Sequence, residues 1–193
     1  MNLYLNITDF KPLVVLNDNI RFLYAKQNTI MDGKFTKILY SDNLVIMNGL
    51  YLLFPILCDT LSPNNSNSNS NIRYIQNNRK TNIQLIEEFT QLENIILTHY
   101  QNYNNCDKYK ELSLHKQLYH NKQIRVYKES ANKPLNNTII EEDTAHNQYI
   151  NQTSIYTLKI SGVWETFDKI GITYKIVEIR VRGTHGYELP LHR

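Results

Sequence analysis

Aromatic and cationic residues interleave at a spacing of two in several stretches of this chain. Phe22, Tyr24 and Lys26 would share one face of an extended segment. In the next stretch Phe35, Lys37 and Leu39 fall opposite Lys34, Thr36, Ile38 and Tyr40, and Arg125 and Tyr127 are again two apart. Because strand side chains alternate between faces, each set projects to one side of a sheet. A single nucleic-acid strand needs this combination. Cations follow its phosphates, and rings stack on its bases at about 1–3 kcal/mol per base without reading sequence. Tyr24, Lys26, Lys37, Arg125 and Tyr127 are the candidates from this pattern. The same rings would serve equally well as the interior of a small β-structure, and the charges as a solvated surface.

Catalytic signatures are missing. The chain has no phosphate-binding glycine loop, no nucleophile elbow, no HExxH and no EF-hand loop. His99, His115, His120, His146, His185 and His192 are scattered, and Cys58 and Cys106 stand far apart without a CxxC pair. Glu141-Glu142-Asp143 lies in a polar connection and is taken as a solvated loop, not a Mg²⁺ site. The expectation is a non-catalytic protein with neither metal nor cofactor. Two distant cysteines fit a reducing compartment.

The elements that must position these residues are mostly strands. Asn2–Thr8, Leu13–Leu16, Ile20–Ala25, Phe35–Tyr40 and Leu44–Phe54 have strand patterns, the last divided by Asn48-Gly49. A glycine inside a strand pattern marks a bulge or sharp bend. Ser62–Asn71 is polar and low in complexity, so 62–80 is expected to be a mobile loop. Leu85, Phe89, Leu92, Ile96 and Tyr100 recur every three or four residues and predict a helix over Thr81–Tyr100. A weaker helix is expected over Lys108–Tyr119, which makes 81–119 a helical insertion. Ile124–Tyr127 is a further strand, and a polar connection follows from Glu129 to Gln152. Ser154–Trp164 and Gly171–Val181 form a hairpin closed by Glu165–Ile170. Short strands with one amphipathic helix predict a mainly β fold, a small barrel or a sandwich with inserted helices. The whole chain is taken as one domain.

Composition narrows the function classes. The chain has 193 residues, 41% hydrophobic and 20% charged, an ordinary globular balance that excludes a wholly disordered chain, a collagen and a coiled coil. Its 25 Asn and 22 Ile reflect AT-rich codons as much as function. Net charge is +3, short of the strongly basic footprint of a dedicated duplex binder. Positive charge gathers between 105 and 130, where Lys108, Lys110, Lys116, Lys122, Arg125 and Lys128 outnumber the acids. The longest apolar run, Leu44–Cys58, is too interrupted to span a bilayer, and the N-terminus carries no signal peptide pattern. An intracellular protein, not secreted, is expected.

One segment goes further. Leu158-Lys159-Ile160-Ser161-Gly162-Val163-Trp164-Glu165-Thr166, continued by Gly171-Ile172-Thr173-Tyr174-Lys175, resembles a motif of OB-fold single-stranded-DNA-binding proteins from large eukaryotic DNA viruses. In that group L-K-[LIV]-x-G-[IV]-W-E pairs with G-[LI]-[ST]-[YF]-K. Lys34–Tyr40 and Val45–Tyr51 are similar to the earlier barrel strands of that family, less specifically. AT-rich composition suits such viruses or related linear plasmids. The resemblance covers about 40 residues well and implies an OB-like small barrel, with one or two inserted or flanking helices, that coats single strands during replication without catalysis or a metal. By position in the motif it carries over Lys159, Trp164, Tyr174 and Lys175 as residues near the strand path, with Trp164 equally placed to be a core anchor. The end, Arg182 to Arg193, departs from the acidic tail common among replicative single-strand binders, which puts tail-mediated recruitment of partners in doubt. The expected partners are single-stranded DNA or RNA, further copies of the chain and replication proteins, with no membrane. A virion structural or assembly protein, or an RNA-binding transcription accessory factor, are the alternatives.

Overall fold

The computed structural model describes Leu5 and residues 18–28, 32–56, 58–59, 70–76, 80–128 and 153–181. Within them the protein is mainly β. The strands are β1 (Ile20–Phe22), β2 (Lys26–Gln27), β3 (Lys34–Ser41), β4 (Ile46–Met47), β5 (Leu50–Leu53), β6 (Cys58–Asp59), β7 (Ser70–Ile75), β8 (Tyr109–Lys110), β9 (Gln123–Lys128), β10 (Thr153–Glu165) and β11 (Lys169–Val181). A long helix, α1 (Lys80–Asn104), precedes β8, and a short turn of helix, α2 (Ser113–His115), runs into a π-helical turn at Lys116–His120. No helix among the described residues is long and apolar enough to cross a membrane.

The strands join in one mixed sheet with the path β1-β3-β10-β11-β9-β7-β6. Along one edge, β10 pairs with β3 through Gly162–Glu165 and with β5 through Thr157–Ile160. Its other edge pairs antiparallel with β11, which in turn runs parallel to β8 and β9. The sheet is open among the described residues: its ends, β1 and β6, are not neighbours, so the expected closed barrel is not seen at this level.

Alternation along these strands produces one apolar face. Ile38 of β3, Leu50 and Leu52 of β5, Leu158, Ile160 and Val163 of β10, Ile172 and Ile176 of β11, and Ile124 and Val126 of β9 are all buried. Helix α1 lies on this face with Leu85, Phe89, Leu92, Ile96 and Tyr100 inward. Phe89 meets Phe54 at 5.1 Å, and Tyr100 meets Phe22 edge-on at 5.2 Å. The helix outlasts its sequence pattern by one turn at its C-terminal end, where Asn105, at φ 50°, stops it.

Two bulges decide which side chains face which way. Between β10 and β11 the register shifts at Ser161, so Leu158, Ile160 and then Val163 can all point to the helix. Between β1 and β2 the chain takes up one extra residue: Phe22 pairs with Ile38, yet Lys26 pairs with Phe35. That slip turns Lys26 to the face opposite Phe22.

Several expectations are corrected here. Phe22, Tyr24 and Lys26 do not share a face. Residues 70–75, inside the expected loop, form β7, in which Arg73 and Ile75 alternate with Ile72 and Tyr74. The second helix is confined to Ser113–His120, because Tyr109–Lys110 is taken by a strand against β11. The hairpin loop shortens to Thr166–Asp168, where the Thr166 N–H donates to the Lys169 carbonyl at 2.8 Å. The division of Leu44–Phe54 at Asn48-Gly49 is present: Gly49 adopts φ 106°, and β4 and β5 lie on either side of it. The expected strands at 2–8 and 13–16, the connection at 129–152 and the C-terminal segment fall outside the described residues, apart from Leu5, which bridges to Leu52.

Candidate nucleic-acid interface

The sheet face turned away from α1 is built from cross-strand rows that the register defines. One row runs Lys26, Phe35, Trp164, Gly171. The next runs Lys37, Gly162, Thr173. A third runs Tyr51, Lys159, Lys175. Beyond it the register continues through Leu53, Thr157, Val177 and Tyr127 onto β9, where Arg125 lies two residues before Tyr127; Thr157 is buried in this row, while Tyr127 is exposed. Neighbouring strands sit about 4.8 Å apart and successive same-face residues about 6.8 Å apart, so the rows form one continuous patch.

Glycines let the rings of this patch lie flat. A Cβ on Gly171 would stand 2.3 Å from Cζ2 and 2.6 Å from Cε2 of Trp164, so the indole lies directly across that glycine. A Cβ on Gly162 would stand 2.6 Å from Cζ of Phe35, which covers the second glycine in the same way. Each ring therefore gives one side to the sheet and stays half-buried. Trp164 is thus neither a core anchor nor a free side chain. Lys159 holds its ammonium 4.8 Å from the centroid of the Tyr51 ring. Such a contact is worth about 0.5–1 kcal/mol at an exposed site and orients the cation over the patch.

The electrostatics of the face have one sign. Lys26, Lys37, Lys159, Lys175 and Arg125 lie on it, and none forms an ion pair among the described residues. At its positions in β3, β5, β9, β10 and β11 there is no Asp or Glu. Acids are used on the other face and at the hairpin end. Glu165 accepts hydrogen bonds from Lys108 Nζ and the Tyr100 hydroxyl, both at 2.7 Å. Desolvation pushes its pKa up, but these two donors outweigh it and hold the carboxyl below its usual range.

The sequence candidates divide as follows. The register brings Lys26, Lys37, Lys159, Trp164, Lys175, Arg125 and Tyr127 to this face. Tyr24 stands in the Leu23–Ala25 segment, 96% exposed and off the sheet ladder, beside Lys26. Tyr174 is the exception. It pairs with Ile160, points to the helix side and packs against the core. Burial, with the Glu93 carboxylate as a lesser cause, pushes its pKa up to about 12. Thr36, Ile38 and Tyr40 are likewise core.

Two residues of the face were not candidates from the sequence. Phe35 had a signal: two glycines within strands need something to cover them. Tyr51 had none, because only the pairing of β5 with β10 sets it beside Lys159. No protein family, curated protein or solved structure with which this chain was compared matches it.

Proposed function

We propose that this chain binds single-stranded DNA along the sheet face turned away from α1, with little dependence on sequence and without catalysis. The observation that carries this reading is the face itself. It gathers five cations without an acid around Trp164, Phe35 and Tyr51, two of these rings laid flat over glycines. Cations along a sheet and half-exposed rings between them suit a strand whose phosphates and bases alternate. The resemblance of Leu158–Thr166 and Gly171–Lys175 to viral OB-fold single-strand binders points the same way. An OB-like fold belongs to the proposal, supported by the long, bulged β10, which is shared among β3, β5 and β11 as the bent strands of small barrels are. So does a role in coating strands during replication.

Fluorescence anisotropy of labelled oligo-dT, titrated at low and moderate salt, tests the reading. Duplex and oligo-U serve as competitors. Tight, salt-sensitive binding that duplex fails to displace is expected. Displacement by oligo-U at lower concentration than by oligo-dT would move the assignment to RNA. Absence of binding at low salt would overturn it, and self-association without nucleic acid would favour an assembly role.

A further inference from the structure

The contact between β9 and β11 is short, and a cleft opens beside it. β8 pairs with β11 only at Lys169–Ile170 and β9 only at Ile176–Glu178, so the β11 edge between them has no strand beside it among the described residues. There a cleft of about 370 Å³ lies among Gln123, Arg125, Tyr127, Tyr174 and Lys175. The π-helical turn borders it through Gln117 and Asn121, and β7 through Ile72.

We propose that this cleft is a nucleobase subsite, one that takes a base turned aside from the strand crossing the sheet face. The inference rests on the single-strand reading above and adds base preference to it. Arg125 and Lys175 belong to both places, so a strand neutralised by the face passes the cleft mouth. A volume near the lower end of small-ligand sites suits one nucleotide better than a folded partner. Tyr127, 38% exposed, offers a ring for stacking, and Ile72, 53% exposed, an apolar wall.

The polar lining distinguishes the cleft from the rest of the face, which has cations and rings but no free amide among these rows. Gln117 is committed: its Nε2 donates to the Gln123 carbonyl, and its Oε1 accepts from Asn121. This pins the π-helical turn against β9. The Gln123 side chain makes no hydrogen bond to a described residue, so its carbonyl and NH₂ both remain to meet a base edge, which presents donors and acceptors together. The Tyr174 hydroxyl, held protonated far above neutral pH, adds a neutral donor or acceptor from the inner side.

The test titrates the full chain and its Gln123→Ala variant with dT, dC, dA and dG homopolymers of equal length. The unmodified protein should prefer one base about fivefold or more. Gln123→Ala should bring the four affinities within about twofold while its salt slope on dT stays unchanged. A second measurement needs no variant: an oligonucleotide carrying 5-iodouracil, irradiated on the unmodified protein, should crosslink to Tyr127. No binding of any oligonucleotide overturns the face and the subsite together. Binding with equal affinities, a preference that survives Gln123→Ala, or crosslinks only to Trp164 and Phe35 overturns the subsite alone.

Discussion

The two faces of the sheet use the same strands and opposite chemistry. On one, Ile38, Leu52, Leu158, Ile160, Val163 and Ile172 are buried beneath α1. On the other, Lys37, Lys159, Trp164 and Lys175 occupy the intervening positions, half-buried or exposed. Free energy of folding concentrates on the first, where apolar area leaves water at about 25 cal/mol per Å². The second carries its rings and charges half-buried or exposed and contributes less to folding. A single alternation of residue types thus separates the groups that hold the protein together from the rings and cations of the proposed interface. A substitution should disturb one property and spare the other.

The largest effect expected is on the covered face. Phe89→Ala removes a fully buried ring against Phe54 and should cost about 3–5 kcal/mol in urea unfolding. The protein that remains folded should bind oligo-dT unchanged, and a matching loss of affinity per folded molecule would break the division between faces. On the open face the reverse is expected. Trp164→Ala should weaken oligo-dT binding by about 1–3 kcal/mol with a smaller loss of stability. Gly171→Ala sharpens this, because its Cβ would meet the indole at 2.3 Å and displace the ring without deleting it. A red-shifted Trp164 emission with part of the same affinity loss is the expected outcome.

Charge effects come next. Lys159→Ala or Lys175→Ala should each lower the slope of log K against log salt by about one unit. Lys108→Ala, whose amine is held by Glu165 on the helix side, should leave that slope unaltered. Equal slopes for all three would remove the two lysines from the strand path.

The smallest effect is a pH dependence of stability with two signs. Glu93 is fully buried on α1 and accepts from the backbone N–H groups of Leu114 and His115, both at 2.9 Å. Burial outweighs those bonds and raises its pKa above the ordinary 4.5. The folded state therefore retains this proton more readily than the unfolded one, and stability falls as pH rises from the ordinary value through the raised one. Glu165 is lowered from the same ordinary value, so its contribution is present above about 4.5 and is lost as pH falls through the folded value. Urea midpoints measured across this range should lose the alkaline-side decline in Glu93→Gln and the acid-side decline in Glu165→Gln. Unchanged profiles would show that neither carboxyl titrates as its surroundings require.

Much of the fold was legible where one periodicity ran unbroken. The spacing of Leu85, Phe89, Leu92, Ile96 and Tyr100 marked α1, and the alternation from Ser154 onward marked the β10–β11 hairpin. β7 was hidden because its strand pattern adjoins an Asn/Ser tract whose composition masks it. Tyr174 misled because its place in a motif says nothing about the Ser161 bulge, which sets the facing of β10 and the register of β11 against it. The shared face of Phe22, Tyr24 and Lys26 misled for a related reason: the extra residue between β1 and β2 breaks the alternation that would have put them on one side.

By itself, the sequence determined a mainly β protein, one long amphipathic helix, and a supply of rings and cations at strand spacing. These follow from local regularities, since period and composition are properties of neighbours along the chain. Only the tertiary structure decided which of those residues stand together. A one-residue shift of register moves every following side chain to the other face, and the registers of β3, β5 and β11 against β10 are set by contacts far apart in sequence. That is why Lys159 and Lys175 could be named from a motif, while Tyr51, their neighbour in the same row, had to be read from the fold.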